Sequence, residues 1–270
     1  GGAGMLLQPI AGSALKNPDL VYALVKRLNS QLQRDGGKLI LSLDRLDWCK
    51  GLPQKLTAME VFFTDFPQWR GKVTFFLVVR DHPGHRDVEL LQMVSRLVGR
   101  VNGKFGSSDY VPVHYMHRTL LPEEISALYA LADVALMSST REGINLSAME
   151  FVACQANVDT SDLHSLVCPR EKGVLVYSEM AGCASSFKGA LLVNPYDAAQ
   201  VGAALNTALT MRGQAKDVRH HRLKTYVFEY TSEKWARRIG NALSEAQRGK
   251  RLTQHGSHGH LHGLGMGLGC

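Results

Sequence analysis

Six short runs of apolar, β-branched and aromatic residues alternate along the chain with segments of helical periodicity. This alternation constrains the fold more than any other feature. The runs cover 38–44, 72–79, 110–115, 133–137, 173–177 and 190–194. Between them, apolar residues recur three or four positions apart, as at Leu56, Met59 and Phe63. Alternating strands and helices predict an α/β domain, a Rossmann-like parallel sheet with helices on both faces.

The run at 73–79 is apolar almost throughout, which is typical of a strand buried on both sides. Further helices are predicted at 17–33, 197–210, 215–229 and 231–247. The chain is therefore divided into a connecting helical segment (1–35), one domain (36–247) and a Gly- and His-rich tail (248–270) expected to be disordered. The tail histidines could hold a metal, but their spacing fixes no geometry.

The formal net charge of +7 lies entirely near the C-terminus. Residues 1–211 contain 20 Lys/Arg and 20 Asp/Glu, whereas residues 212–251 contain 11 and 4. A nucleic-acid binder is one interpretation of this basic stretch. The stretch carries no recognised binding motif, however, and a solvated helix face also accounts for it. We therefore expect no nucleic-acid partner.

The five cysteines are scattered, with no CxxC pair and no zinc spacing, and we expect reduced thiols in a cytoplasmic protein. No apolar run approaches 18 residues, so no membrane partner is expected. The N-terminus lacks the pattern of a signal peptide. The chain does not begin with Met, which is consistent with a fragment.

Two cations follow the first predicted strand, in the loop Asp44-Arg-Leu-Asp-Trp-Cys-Lys-Gly-Leu-Pro53. Arg45 and Lys50 would stand at a carboxyl strand end just before a helix N-terminus, a position that suits phosphate oxygens. The alternative is that both cations simply pair with Asp44 and Asp47 at the surface.

The loop after the fourth predicted strand contains Arg141-Glu-Gly-Ile-Asn-Leu-Ser147. Gly143 permits a tight turn, and Asn145 suits a helix N-cap, which would leave the amides of Leu146 and Ser147 as phosphate donors. Glu142 precedes this turn. Glu150, further along the helix, could accept hydrogen bonds from both ribose hydroxyls. The alternative is a plain capped helix with solvated carboxylates.

These loops resemble those of the trehalose-6-phosphate synthase family. The resemblance is carried, in the family's order, by Leu41-Ser-Leu-Asp-Arg-Leu-Asp-Trp-Cys-Lys-Gly-Leu-Pro-Gln-Lys-Leu56, Gly99-Arg-Val-Asn-Gly-Lys-Phe-Gly106, Val111-Pro-Val-His-Tyr115, Leu128-Tyr-Ala-Leu-Ala-Asp133, Arg141-Glu-Gly-Ile-Asn-Leu146 and Leu191-Leu-Val-Asn-Pro-Tyr196. It implies the C-terminal, donor-binding half of a GT-B fold. The implied reaction transfers glucose from UDP-glucose to glucose 6-phosphate with retention of configuration. No metal or other cofactor is expected.

The resemblance also assigns roles to individual residues. Arg45 and Lys50 would hold the donor diphosphate and neutralise the departing UDP. The amides of Leu146 and Ser147 would add phosphate contacts, and Glu150 would bind the ribose. Leu120 would contact the base through its backbone. Glu142 and Gly143 would lie against the transferred glucose.

Several departures from the family pattern bear on activity. The acceptor domain that would hold glucose 6-phosphate is missing from this chain, so we expect the chain to be incomplete as a catalyst. The family more often has Asp at the position of Glu142. In the altered loop 80–87, Arg86 or His85 would replace a family arginine, and 157–170 resembles an insertion. A non-catalytic regulatory homologue that binds nucleotide sugar or sugar phosphate is therefore the alternative function.

Overall fold

The computed structural model describes residues 37–81, 87–157 and 171–256. The helix predicted at 17–33, the candidate phosphate ligands His85 and Arg86, and nearly all of the predicted insertion lie outside the described residues. The described elements are β1 (Lys38–Arg45), α1 (Leu52–Asp65), β2 (Val73–Arg80), α2 (Val88–Phe105), β3 (Val113–His117), α3 (Pro122–Leu131), β4 (Val134–Met137), α4 (Leu146–Asn157), β5 (Val174–Ser178), β6 (Leu191–Val193), α5 (Ala198–Thr210), α6 (Gly213–Glu229) and α7 (Ser232–Gly256).

The six strands form one sheet in the order β3-β2-β1-β4-β5-β6, and every neighbouring pair is parallel. The predicted Rossmann-like α/β architecture is therefore confirmed. The strand order reverses between β1 and β4, and the helices that follow these two strands pack on opposite faces of the sheet. In open parallel sheets this switch point is where ligands bind. It brings together the two loops that the sequence singled out.

Helices cover both faces of the sheet. On one face, α1 packs against α2 and α5; on the other, α4 packs against α3 and α6. Strand β1 serves both layers, since Leu39, Ile40 and Leu41 are all buried. Burial on both faces explains why the strands are continuous apolar runs without polar alternation.

The third strand begins later than its apolar pattern predicted. Residues 107–110 form a turn, in which the Ser107 amide donates to the Tyr110 carbonyl at 3.0 Å. The Tyr110 hydroxyl donates to the Val73 carbonyl, so this side chain caps the neighbouring strand instead of joining the ladder. The strand was predicted to begin at 110 and begins at Val113, so its predicted start was wrong by three residues.

The chain divides into two compact units, and the described residues up to Glu229 belong to a different unit from those after Tyr230. The last helix, α7, ends at Gly256, so residues 248–256 are helical and not part of a disordered tail. The predicted domain boundary at 247 falls within this helix. The remainder of the tail, 257–270, lies outside the described residues. No helix of the described residues is long and apolar enough to cross a membrane.

Helix α6 buries an imidazole without hydrogen bonds. His220 is buried, and neither of its ring nitrogens has a partner among the described residues. The pKa of His220 is lowered from 6.5 to about 4, chiefly by burial and to a lesser extent by Lys172, Lys224 and His221, while Asp217 opposes the shift. The folded state therefore strongly favours the neutral ring.

Acidification is expected to destabilise this unit through His220. Near neutral pH the ring is uncharged in both states, but between about pH 6.5 and 4 only the unfolded chain binds the proton, so the free energy of unfolding falls, by about 2 kcal/mol at pH 5. Urea unfolding at pH 7 and pH 5 measures this loss. His220→Leu should remove most of it, whereas the exposed-neighbour control His221→Leu, which removes only the smallest of the causes that shift this pKa, should change it little. Equal pH dependence in wild type and His220→Leu would contradict the assignment.

Candidate active site

A cleft of about 470 Å³ opens at the carboxyl ends of β1, β2 and β4. Its wall combines four cations with three carboxylates: Arg45, Lys50, Arg80, Arg118, Asp44, Glu142 and Glu150. Backbone and side chains at the start of α4 complete the wall. Such a mixture of fixed positive charge and hydrogen-bonding groups suits a ligand that carries both phosphate and hydroxyl groups.

The loop after β1 is held in a defined shape by its own residues. The Asp47 carboxylate accepts from the Cys49 amide at 2.9 Å, and Gly51 turns the chain into α1 with a left-handed φ of 66°. The Cys49 carbonyl then accepts from the Thr140 amide at 2.9 Å. The loops after β1 and β4 are thus joined by their backbones, which fixes Lys50 opposite Glu142.

Lys50 and Glu142 form an ion pair across the cleft, and both side chains are largely withdrawn from solvent. The second oxygen of Glu142, Oε2, accepts at 2.7 Å from Ser139 Oγ and at 2.7 Å from Asn145 Nδ2. The carboxylate is therefore fully engaged by three side chains. A ligand that draws Lys50 away would leave Glu142 free to accept from a new donor.

The alternative, in which Arg45 and Lys50 pair with Asp44 and Asp47, is wrong, because both acids have other partners. Asp47 caps its own loop, and Asp44 forms a 2.6 Å ion pair with Lys55 of α1. Among the described residues, Arg45 has no carboxylate partner. Its charge is thus available to the cleft.

Beneath the cleft floor, Lys55 is fully buried and links the end of β1 to α1. Its Nζ also donates to Ser42 Oγ at 3.0 Å, and Ser42 in turn contacts the Leu136 carbonyl of β4 at 2.9 Å. Burial lowers the pKa of Lys55, and the adjacent Asp44 carboxylate opposes that shift. This network holds the two strands that diverge at the switch point.

The first turn of α4 has the geometry that its sequence predicted. Asn145 Oδ1 accepts from the Ala148 amide at 3.0 Å, which confirms the N-cap. The first amides of a helix, here Leu146 and Ser147, have no acceptor within the helix and line the cleft. Gly143 does not line the cleft, and its φ is not positive; its carbonyl lies 3.8 Å from Cys183 Sγ.

Glu150 lines the cleft one turn deeper, where its Oε2 lies 3.4 Å from the Tyr129 hydroxyl. Burial raises the pKa of Glu150, while the Tyr129 hydrogen bond and the positive charge of Arg80 oppose the rise. Leu120 also lines the cleft with a buried side chain. Eight of the nine predicted site residues therefore meet at one cavity, and Gly143 is the exception.

Sequence reasoning missed two cations of this cleft. Arg118, after β3, is paired with Glu124 at 2.8 Å. Arg80 is the last residue of β2, one position beyond the apolar run from which the strand was predicted. Its position at a carboxyl strand end was the signal that could have identified it.

With this geometry established, comparison with known proteins is decisive. Residues 13–245 match the family described as Glycosyltransferase family 20. The chain belongs to this family. The resemblance to trehalose-6-phosphate synthases is confirmed, because relatives of this family 20 chain carry that name. The alpha,alpha-trehalose-phosphate synthase (UDP-forming) of Botryotinia fuckeliana is 40% identical over 84% of the chain and 40% of its own length.

Two solved trehalose-phosphate synthase structures also resemble the family 20 chain. One, from E. coli and described as bound with UDP-2-fluoro glucose, is 30% identical with a TM-score of 0.71, over 80% of this chain and 46% of that one. Another, from Burkholderia xenovorans in complex with glucose-6-phosphate, is 28% identical with a TM-score of 0.75. The match covers 90% of this chain and 50% of that one. The chain thus spans about half or less of the proteins it matches.

Proposed function

We propose that the chain is the donor-binding domain of a retaining glycosyltransferase. The reaction transfers glucose from UDP-glucose to glucose 6-phosphate and yields trehalose 6-phosphate and UDP. The observation that carries this proposal is the cleft itself, in which Arg45, Lys50, the first-turn amides of α4 and Glu150 face one cavity. These groups match the diphosphate and the ribose of a nucleotide sugar in chemistry and in order.

The ion pair between Lys50 and Glu142 gives the site a defined response to its ligand. A diphosphate carries more negative charge than the Glu142 carboxylate and would compete for Lys50. Glu142 keeps Ser139 and Asn145 as partners, so its carboxylate stays anchored while one oxygen turns to the sugar. Lys50 would then stabilise the charge on the departing UDP, because fixed cations lower the energy of a leaving group that gains negative charge.

The acceptor would be held by a second domain, because the chain spans only about half the length of the relatives that it matches. A relative's structure is described as a complex with glucose-6-phosphate, which supports this acceptor. Closure of two domains excludes water from a transfer between sugars. We therefore propose that the chain acts as part of such a two-domain enzyme, without a metal or other cofactor. A cytoplasmic setting is part of this proposal, because the five cysteines are scattered without a CxxC pair or zinc spacing.

A regulatory homologue that binds nucleotide sugar without transferring glucose is the second candidate. Glu142 favours it, because the family more often has Asp at this position and the longer carboxylate here is engaged by Lys50. Both candidates require donor binding and differ only in turnover. An assay of UDP release from UDP-glucose and glucose 6-phosphate, on the protein with its acceptor domain, distinguishes them.

Lys50→Ala is expected to weaken UDP binding by roughly tenfold or more, because one charge-assisted hydrogen bond contributes about 1.5–3 kcal/mol. Isothermal titration calorimetry of UDP against the folded 270-residue chain measures the change. Lys188→Ala removes an exposed lysine away from the cleft and should leave the affinity unchanged. If the wild type does not bind UDP, or if both variants bind alike, the donor-site assignment is wrong.

A further inference from the structure

Arg80 occupies a position for which neither the sequence pattern nor the family resemblance supplied a role. It ends β2, and its Cα is the register partner of Arg45, which ends β1. Neighbouring strands lie about 4.8 Å apart, so the two arginines stand side by side at the carboxyl ends of these strands. Both line the same cleft as Lys50.

The described part of the protein neutralises neither arginine. Among the described residues, no carboxylate lies within ion-pair distance of Arg45 or Arg80. Glu150 is near enough for Arg80 to influence it electrostatically, but its hydrogen bond is to Tyr129. Adjacent like charges repel, and this repulsion is relieved when an anion binds between them.

We propose that Arg80 binds the diphosphate of the donor together with Arg45. Lys50 is paired with Glu142, so the two arginines are the cations that an incoming diphosphate meets without first displacing a carboxylate. A pair of planar guanidinium forks offers several N–H donors to phosphate oxygens, whereas a single lysine acts as a point charge. This inference rests on the proposed donor site and adds a phosphate ligand to it.

The test is calorimetry of UDP and UMP with wild type, Arg80→Ala, Arg80→Lys and Arg96→Ala. Arg96 is an exposed arginine of α2 that does not line the cleft, so its variant controls for the loss of one positive charge. Arg80→Ala should weaken UDP binding by about tenfold or more. The loss should be smaller for UMP, which has one phosphate fewer. Arg80→Lys should give an intermediate affinity, since it keeps the charge and loses the fork.

The outcomes separate this proposal from the donor site on which it rests. If wild type binds UDP and Lys50→Ala does not, but Arg80→Ala binds UDP as tightly as Arg96→Ala, the role of Arg80 is wrong and the donor site stands. An equal loss for UMP and UDP would also overturn the diphosphate contact. If wild type binds no UDP, both assignments fail. Because Arg80 is exposed, its variants should fold, and circular dichroism checks this.

Discussion

Replacing Lys55 by Met is expected to lower the free energy of unfolding by about 3–5 kcal/mol, because the buried Asp44 carboxylate would lose its cation. Lys55 is fully buried and lies 2.6 Å from Asp44. Its removal leaves a negative charge in a site that water does not reach freely. Methionine has a similar volume, so the loss reports the unpaired charge and not a cavity.

A double-mutant cycle isolates this effect. In an Asp44→Asn background, Lys55→Met should cost several kcal/mol less, since no buried charge remains unpaired. Lys104→Met is the surface control: Lys104 pairs with Glu60 at 3.1 Å but its side chain is 50% exposed, so its loss should change stability by less than about 1 kcal/mol. Urea unfolding followed by circular dichroism measures all four variants. If Lys55→Met costs the same free energy of unfolding with and without the Asp44 carboxylate, the unpaired charge of Asp44 does not account for that cost.

Replacing Gly51 by Ala is expected to destabilise the chain by about 2–5 kcal/mol and to weaken UDP binding. The left-handed φ of 66° costs a non-glycine residue about 1–2 kcal/mol. In addition, a Cβ at this position would lie 2.8 Å from the Ser138 carbonyl oxygen, so the loops after β1 and β4 must move apart. This movement would shift Lys50, the residue just before Gly51, relative to Glu142.

Gly71→Ala is a matched control for the conformational part of this cost. Gly71 also has a left-handed φ, 76°, but a Cβ there would meet nothing within 4 Å. Its replacement should therefore cost about 1–2 kcal/mol and leave UDP binding unchanged. Thermal unfolding and calorimetry provide the two measurements. If the two alanine variants lose the same stability and bind UDP with the same affinity, the close contact of Gly51 with the loop after β4 does not determine the geometry of the UDP site.

Periodicity predicted the elements of the sheet domain well because β1, β2, β4 and β5 are mostly buried and the helices that pack on the sheet each bury apolar residues. The six strands were found within a few residues of their predicted positions. The main error in the sheet, at Tyr110, arose where an aromatic side chain hydrogen-bonds to another strand. An apolar pattern cannot distinguish such a side chain from one within the ladder. The last helix was predicted to end nine residues too early, because α7 continues through residues whose composition favours disorder.

The site was predictable to the extent that its chemistry is local. Asn145 is followed at once by the helix that it caps, and Arg45 and Lys50 stand directly after a strand, so short motifs were enough to identify them. The pairing of Glu142 with Lys50 was not predictable, because 92 positions separate the two residues and the two loops meet only across the switch point. Glu142 was expected to lie against a sugar, and in the structure its carboxylate contacts the Lys50 ammonium.

The sequence by itself determined the class of fold, the loops that carry the chemistry and the family. The apolar runs that predict strands, the residues that cap helices and the family motifs are each formed by residues close together in the chain. Only the tertiary structure decided which charges neutralise one another. Asp44 is paired with Lys55 beneath the floor, Lys50 with Glu142 across the cleft, and Arg45 stands beside Arg80 with no carboxylate among the described residues to pair with it. Charge pairing depends on distances of a few ångströms between segments far apart in sequence, and those distances are set by strand order and register.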